Sequence, residues 1–266
     1  MEELTLAYKN SAIVYYRFGN GPQPVACFHG YGEDGLAYSF LSKYAEDHFT
    51  FYSIDLPFHG KTRWNEEQPF IHDDLVTIVG HIVEGKKVIL LGFSLGGRMA
   101  LTLYQNMPGF IERMVLLAPD GLKINFWYWL STQTWAGNKF FSFTMKHPGW
   151  FFGFLKLLNK LKLVNASIFK FVNFYIGNKE VRQLLYDRWT SLRKIKPRLS
   201  LIKSLIRKNN TTTRLVYGKH DRIILSSVGE KFKKGIETQC TINVINSGHQ
   251  VLHEKHVHEI LPALLH

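Results

Sequence analysis

Six short apolar runs constrain what this chain can fold into. They lie at residues 24–28, 50–54, 87–92, 113–118, 214–217 and 241–245, and each is rich in aliphatic or aromatic side chains. Runs of four to six residues without polar alternation suit strands buried on both faces, which is the condition of strands in a parallel sheet. Helical periodicity falls between them, at 73–84 with Asp residues in its first turn, at 95–106, at 226–234, and again after His249. Residues 11–18, rich in β-branched and aromatic residues and closed by Gly19-Asn20-Gly21-Pro22, read as part of an opening hairpin. The expected fold is therefore α/β: a doubly wound, mostly parallel sheet of about eight strands with flanking helices.

One stretch interrupts the alternation. From 122 to 210 no strand pattern is evident, and the apolar residues recur at helical spacing. A helical lid inserted at 122–210 into a core domain made of 1–121 and 211–266 is expected. Within it Phe151, Phe154, Leu155, Leu158 and Leu161 fall near one helical face, with Lys156, Asn159 and Lys160 on the other.

Composition matters chiefly for this insert. The net charge of +12 invites a nucleic-acid reading, but the charge is unevenly spread. Residues 122–210 hold 17 Lys and Arg against only Glu180 and Asp187, a net +15, which leaves −3 for the rest. No nucleic-acid-binding motif accompanies it, so no nucleic-acid partner is expected. Sixteen of the 38 aromatic residues lie between Phe126 and Tyr175, among them Trp127, Phe169, Phe171 and Phe174. A basic, aromatic lid suits an apolar acyl group and a transient contact with a membrane surface, although Lys stems over a solvated helix face give the same composition. Two cysteines, Cys27 and Cys240, offer neither a disulfide framework nor a metal-ligand spacing. The start Met-Glu-Glu-Leu-Thr-Leu lacks the pattern of a secretory signal, and no apolar window is long enough to span a bilayer. A cytoplasmic protein without cofactor or metal is the expectation.

The strongest local signal is the strand 87–92 running into Gly92-Phe93-Ser94-Leu95-Gly96-Gly97 and then a helix. A sharp strand-to-helix turn presents the serine hydroxyl at the sheet edge, and the glycines permit close chain approach. A nucleophilic serine needs a base, and the base needs a partner to hold its tautomer. Asp221, in Gly218-Lys219-His220-Asp221 after one strand, and His249, in Asn246-Ser247-Gly248-His249 after the next, supply both in the chain order Ser, Asp, His.

With His29-Gly30-Tyr31-Gly32 after the strand 24–28, these motifs make the chain resemble the α/β-hydrolase superfamily, in its lidded serine esterase-like branch, over nearly its whole length. The resemblance implies that the backbone N–H groups of Tyr31 and Leu95 form an oxyanion hole. It also implies that epoxide hydrolase and dehalogenase chemistry is excluded, because those relatives require a carboxylate where Ser94 stands. Many relatives carry Asp-x-Pro-Gly-x-Gly-x-Ser after the fourth strand, where this chain has Asp55-Leu56-Pro57-Phe58-His59-Gly60-Lys61-Thr62. Asp55 is expected to be a turn residue and His59 a satisfied loop histidine.

Asp120, in a Pro-Asp-Gly turn, is the weaker candidate for the acid. His253, His256 and His258 read as surface histidines rather than metal ligands. Substrate-binding candidates are Arg98, Phe93 and Trp127; Arg98 suits a substrate carboxylate or a structural salt bridge. The Gly-Gly-Arg continuation is shared with menaquinone-pathway lyases of the superfamily. Three functions follow: a serine hydrolase of carboxylic esters or thioesters, a carbon–carbon bond hydrolase or lyase acting on an acidic substrate, and a binding protein that has kept the fold.

Overall fold

A computed structural model describes residues 1–67, 69–123, 126–161 and 176–265. The chain divides into two units, Met1–Lys123 with Lys194–His266, and Ile124–Arg193.

The first unit is built on an eight-stranded sheet: β1 (Glu2–Tyr8), β2 (Ser11–Phe18), β3 (Gln23–Phe28), β4 (Phe49–Ile54), β5 (Val88–Phe93), β6 (Ile111–Leu117), β7 (Thr212–Gly218) and β8 (Cys240–Ile245). Their order across the sheet is β1-β2-β4-β3-β5-β6-β7-β8. β1 and β2 form an antiparallel hairpin, β2 runs antiparallel to β4, and every other pair is parallel. Every residue of β4 and β5 is buried, as the continuous apolar runs require. β8 differs from the expected pattern: Thr241, Asn243 and Val244 are exposed, because an edge strand has one neighbour and less cover.

The helices of this unit are α1 (Ser42–Ala45), α2 (His72–Ile82), α3 (Leu95–Asn106), α8 (Leu199–Asn209), α9 (Ser226–Lys233) and α10 (Val257–Leu265). α2 carries Asp73 and Asp74 in its first turn, and the Asp74 carboxylate accepts from the Ile71 N–H at 3.0 Å. The expected insert, 122–210, extends beyond the second unit, which ends at Arg193. Residues 194–210 belong with the sheet, where α8 buries Ile202 and Ile206.

The second unit consists of α4 (Phe126–Gln133), α5 (Trp135–Lys146), α6 (Gly149–Lys160) and α7 (Lys179–Ser191). Thr134 caps α5 by accepting from Gly137 N–H, and Asn178 caps α7 by accepting from Glu180 and Val181. A small core of Phe141, Met145 and Ile176 is packed by Phe151, Phe152, Leu185, Tyr186 and Trp189. The expected apolar face of α6 is only partly covered: Leu155 is buried, whereas Phe154 and Leu161 are exposed. Phe169, Phe171 and Phe174 lie outside the described residues.

α3 sits unusually close to the sheet. A Cβ on Gly96 would stand 1.7 Å from the Phe28 carbonyl oxygen, and one on Gly92 would stand 2.5 Å from the Gly96 carbonyl oxygen. Both obstacles are backbone and cannot rotate away. Gly80, inside α2, has nothing within 4 Å of the equivalent point. Gly96→Ala is therefore expected to cost about 1–3 kcal/mol or more through overpacking. Gly80→Ala should gain up to about 1 kcal/mol through helix propensity. Urea unfolding midpoints of the two variants check both signs.

Candidate active site

The strand order reverses between β3 and β5, since β3 connects onward to β4 on one side and β5 to β6 on the other. In open α/β sheets this reversal leaves a crevice at the carboxyl ends of the strands. Residues 29–32 follow β3 there, and Ser94 follows β5.

Ser94 has φ 49° and ψ −113°, a conformation that L-residues rarely adopt. Its backbone is held on both sides: the N–H donates to Leu117 O at 2.9 Å, and the carbonyl accepts from Gly97 at 2.9 Å and Asp120 at 2.8 Å. The turn aims the hydroxyl outward, and its Oγ lies 3.0 Å from His249 Nε2. The other ring nitrogen, Nδ1, lies 2.7 Å from Asp221 Oδ2. Asp221 is fully satisfied, because its Oδ1 accepts from the N–H groups of Ile223 at 2.7 Å and Ile224 at 3.0 Å. An ionised Asp221 carboxylate accepts only, which puts the His249 proton on Nδ1 and leaves Nε2 as an acceptor facing Ser94. The acid and histidine loops are tied together by Lys219 N–H to Ile245 O at 2.8 Å and His220 N–H to Ser247 O at 2.9 Å.

The loop after β3 is fixed by His29, which is wholly buried. Its Nε2 accepts from Leu56 N–H at 3.1 Å, so the proton is on Nδ1, which donates to Gly30 O at 2.8 Å. Tyr31 follows, half-buried, and Leu95 is the first residue of α3, where helix N–H groups lack intrahelical acceptors.

Glu33 is absent from the sequence candidates, since a charged residue in a Gly-rich loop carries no distinctive spacing. Its Oε2 accepts from Gly30 N–H at 3.0 Å and its Oε1 from the Gln250 side chain at 2.8 Å. One carboxylate thus links the loop after β3 to the residue next to His249.

The remaining candidates separate by their partners. Asp120 does not meet His249; it forms an ion pair with Arg98, whose Nε donates to Asp120 Oδ2 at 3.0 Å and whose Nη2 reaches the same oxygen. Of the two readings of Arg98, a substrate carboxylate or a structural salt bridge, the salt bridge is the one present here. Phe93 is 2% exposed and its ring centroid lies 5.4 Å from that of His249. It backs the imidazole and offers almost no surface to a substrate, contrary to the sequence expectation. Trp127 lies on α4 of the second unit, 69% exposed and edge-on to Phe126.

Asp55 is a buried turn residue that accepts from Gly35 N–H at 2.6 Å and Lys61 N–H at 2.7 Å. Burial raises its pKa, against the pull of these two amides. His59 is buried, with Nδ1 2.9 Å from Pro57 O. Of the C-terminal histidines, His253 and His258 are exposed, but His256 is buried, which corrects its reading as a surface residue; burial lowers its pKa. Among the described residues no group of three or more His, Cys, Asp or Glu is arranged to hold a metal. Both cysteines are free and buried, and burial raises their thiol pKa values. No helix of the described residues is long and apolar enough to cross a membrane.

Comparison with known proteins places this architecture. The chain is 21% identical over 259 residues to an uncharacterized hydrolase, YugF, of Bacillus subtilis (strain 168), covering 91% of this chain and 89% of that one. It is 30% identical over 141 residues to a pimeloyl-[acyl-carrier protein] methyl ester esterase of Nitrosospira multiformis, a match spanning 48% of this chain and 53% of the relative. The solved structure of a thermophilic esterase from Thermogutta terrifontis superposes with a TM-score of 0.68 at 18% identity, over 100% of this chain and 98% of that one. The family model for the alpha/beta hydrolase fold matches residues 23–256, and the chain belongs to that family.

Proposed function

We propose that this chain hydrolyses a carboxylic ester or thioester with an apolar acyl group, through an acyl-enzyme on Ser94. The observation that carries the reading is the continuous line from Ser94 Oγ to His249 Nε2, 3.0 Å, and from His249 Nδ1 to Asp221 Oδ2, 2.7 Å. The esterase named among the relatives supports an ester as the substrate class.

In acylation, Ser94 Oγ attacks the substrate carbonyl carbon while His249 Nε2 takes the hydroxyl proton. The carbonyl electrons move onto oxygen, and the N–H groups of Leu95 and Tyr31 donate to that developing charge. Asp221 stabilises the imidazolium without taking its proton. The intermediate collapses, the alcohol or thiol leaves with the proton from His249, and the acyl group stays on Ser94. Water then attacks the acyl-enzyme with the same imidazole as base, which releases the acid and restores the serine.

The carbon–carbon bond reading, in which Ser94 and His249 serve proton transfer, drew support from Arg98 as a partner for an acidic substrate. With that guanidinium paired to Asp120, the ester reading is the better supported.

Replacing Ser94 by Ala should abolish turnover of short-chain aryl esters and labelling by a fluorophosphonate; labelling that persists in the variant would reassign the nucleophile. Asp221→Asn is expected to lower kcat on the order of 10⁴-fold, because the wrong tautomer then faces Ser94. Asp120→Asn should lower it far less, and equal losses would transfer the acid's role. A separate check is on stability: relief of the backbone at Ser94 should make Ser94→Gly more stable than Ser94→Ala by about 1 kcal/mol in thermal unfolding.

A further inference from the structure

The second unit presents apolar residues to solvent where a surface helix ordinarily carries polar ones. On α5 the buried face holds Phe141, Thr144 and Met145, whereas Trp135 is 74% exposed, Phe140 56% and Phe143 51%. α6 repeats the arrangement, with Leu155 buried and Trp150, Phe154 and Leu157 each 38–53% exposed. The two sets adjoin, since the ring centroids of Phe140 and Trp150 are 5.0 Å apart. Six half-exposed large side chains amount to on the order of 600 Å² of apolar surface, the upper end of what the largest patch on an ordinary monomer shows.

Charge then narrows what can cover this surface. Lys139, Lys146, Lys156 and Lys160 lie exposed on the same two helices, and Lys139 Nζ stands 4.1 Å from the Trp135 ring centroid. No Asp or Glu occurs anywhere from Leu122 to Lys179. A protein partner for so basic a face would need a concentrated acidic patch with an apolar centre. An anionic lipid surface supplies both at once, with headgroups for the ammonium groups and acyl chains for the rings.

We propose that the α5–α6 face of the second unit docks on an anionic membrane surface, with Trp135, Phe140, Phe143, Trp150, Phe154 and Leu157 entering the headgroup and acyl boundary. Helices of this kind lie in the interface plane, and their affinity sums buried apolar area and attraction to anionic lipid. The proposal does not depend on the ester-cleaving reading, because binding is measured without turnover.

The test is co-sedimentation of the full chain with phosphatidylcholine vesicles and with vesicles of phosphatidylcholine and phosphatidylglycerol. Binding should be confined to the anionic vesicles, weaken as salt screens the lysines, and shift tryptophan emission to the blue. Phe154→Ser combined with Leu157→Ser should reduce vesicle binding by about tenfold or more. The unchanged circular dichroism of that variant is the folding control. A second pair, Lys156→Glu with Lys160→Glu, leaves the aromatic surface intact and should lose the preference for anionic lipid.

No binding, equal binding to neutral vesicles, or unaltered binding by both pairs of variants would overturn the proposal. Concentration-dependent self-association that these same substitutions abolish would overturn it too, by giving the surface to a second copy of the chain.

Discussion

The approach of α3 to the end of β3 is the constraint on which the candidate site depends. Gly96 carries no side chain where any Cβ would enter the Phe28 carbonyl, and the same carbonyl accepts from the buried Tyr38 hydroxyl at 2.7 Å. Because the helix lies that close, its first turn and the loop after β3 share one small space at the carboxyl edge of the sheet. The chain can enter α3 only through a reversal as tight as the one at Ser94, with positive φ at a residue that has a Cβ. Conformations of this kind persist only when their surroundings over-determine them. Here the surroundings are bonds to Leu117 on β6, to Gly97 in the helix and to Asp120 beyond β6.

Partner assignment among the polar groups is equally strict. Two carboxylates lie beyond adjacent strands, Asp120 after β6 and Asp221 after β7, and each has a different cation or imidazole opposite it. Arg98 fixes the first in a bonded geometry that also serves the backbone of Ser94. The second meets the His249 imidazole, with two amides on its other oxygen. Two imidazoles near the crevice, those of His249 and His29, have their tautomers dictated by neighbours: Asp221 acts on His249, and the Leu56 amide acts on His29. Glu33 connects these two histidine-bearing loops through Gly30 and Gln250, so the loop after β3 and the loop bearing His249 are positioned against one another.

What the sequence made legible follows from how local each signal is. The six apolar runs and the Gly92-Phe93-Ser94-Leu95-Gly96 turn are short-range patterns with a direct steric cause, and the strands and the reversal are found where those patterns lie. Ser94, Asp221 and His249 could be aligned from chain order, because each follows a strand. The sheet edge was less legible: the Val244 run looks like any buried strand until its lack of a second neighbour is known. Glu33 and the pairing of Arg98 with Asp120 depend on contacts between distant segments, which no spacing encodes. The packing of Phe93 against His249 is hidden for a related reason, since adjacency to Ser94 in sequence says nothing about the face on which its ring packs.

The boundary at Arg193 instead of Asn210 changes what the charge pattern means. An amphipathic helix has the same periodicity whether it covers a sheet or builds an insert, so α8 could not be assigned from pattern alone. Once Ile202 and Ile206 are placed with the sheet, six of the basic residues between Lys194 and Asn210 go with them, and the units carry about +4 and +8. The two basic populations are then physically different. On α8 the cations Lys203, Arg207 and Lys208 stand opposite a buried aliphatic stripe, which is the ordinary solvated face of a helix. On α5 and α6 the cations share the solvent face with tryptophan and phenylalanine, an arrangement that solvation alone does not favour. Charge counted over 122–210 merges these cases; burial divides them, and only the second leaves apolar surface for another phase to cover.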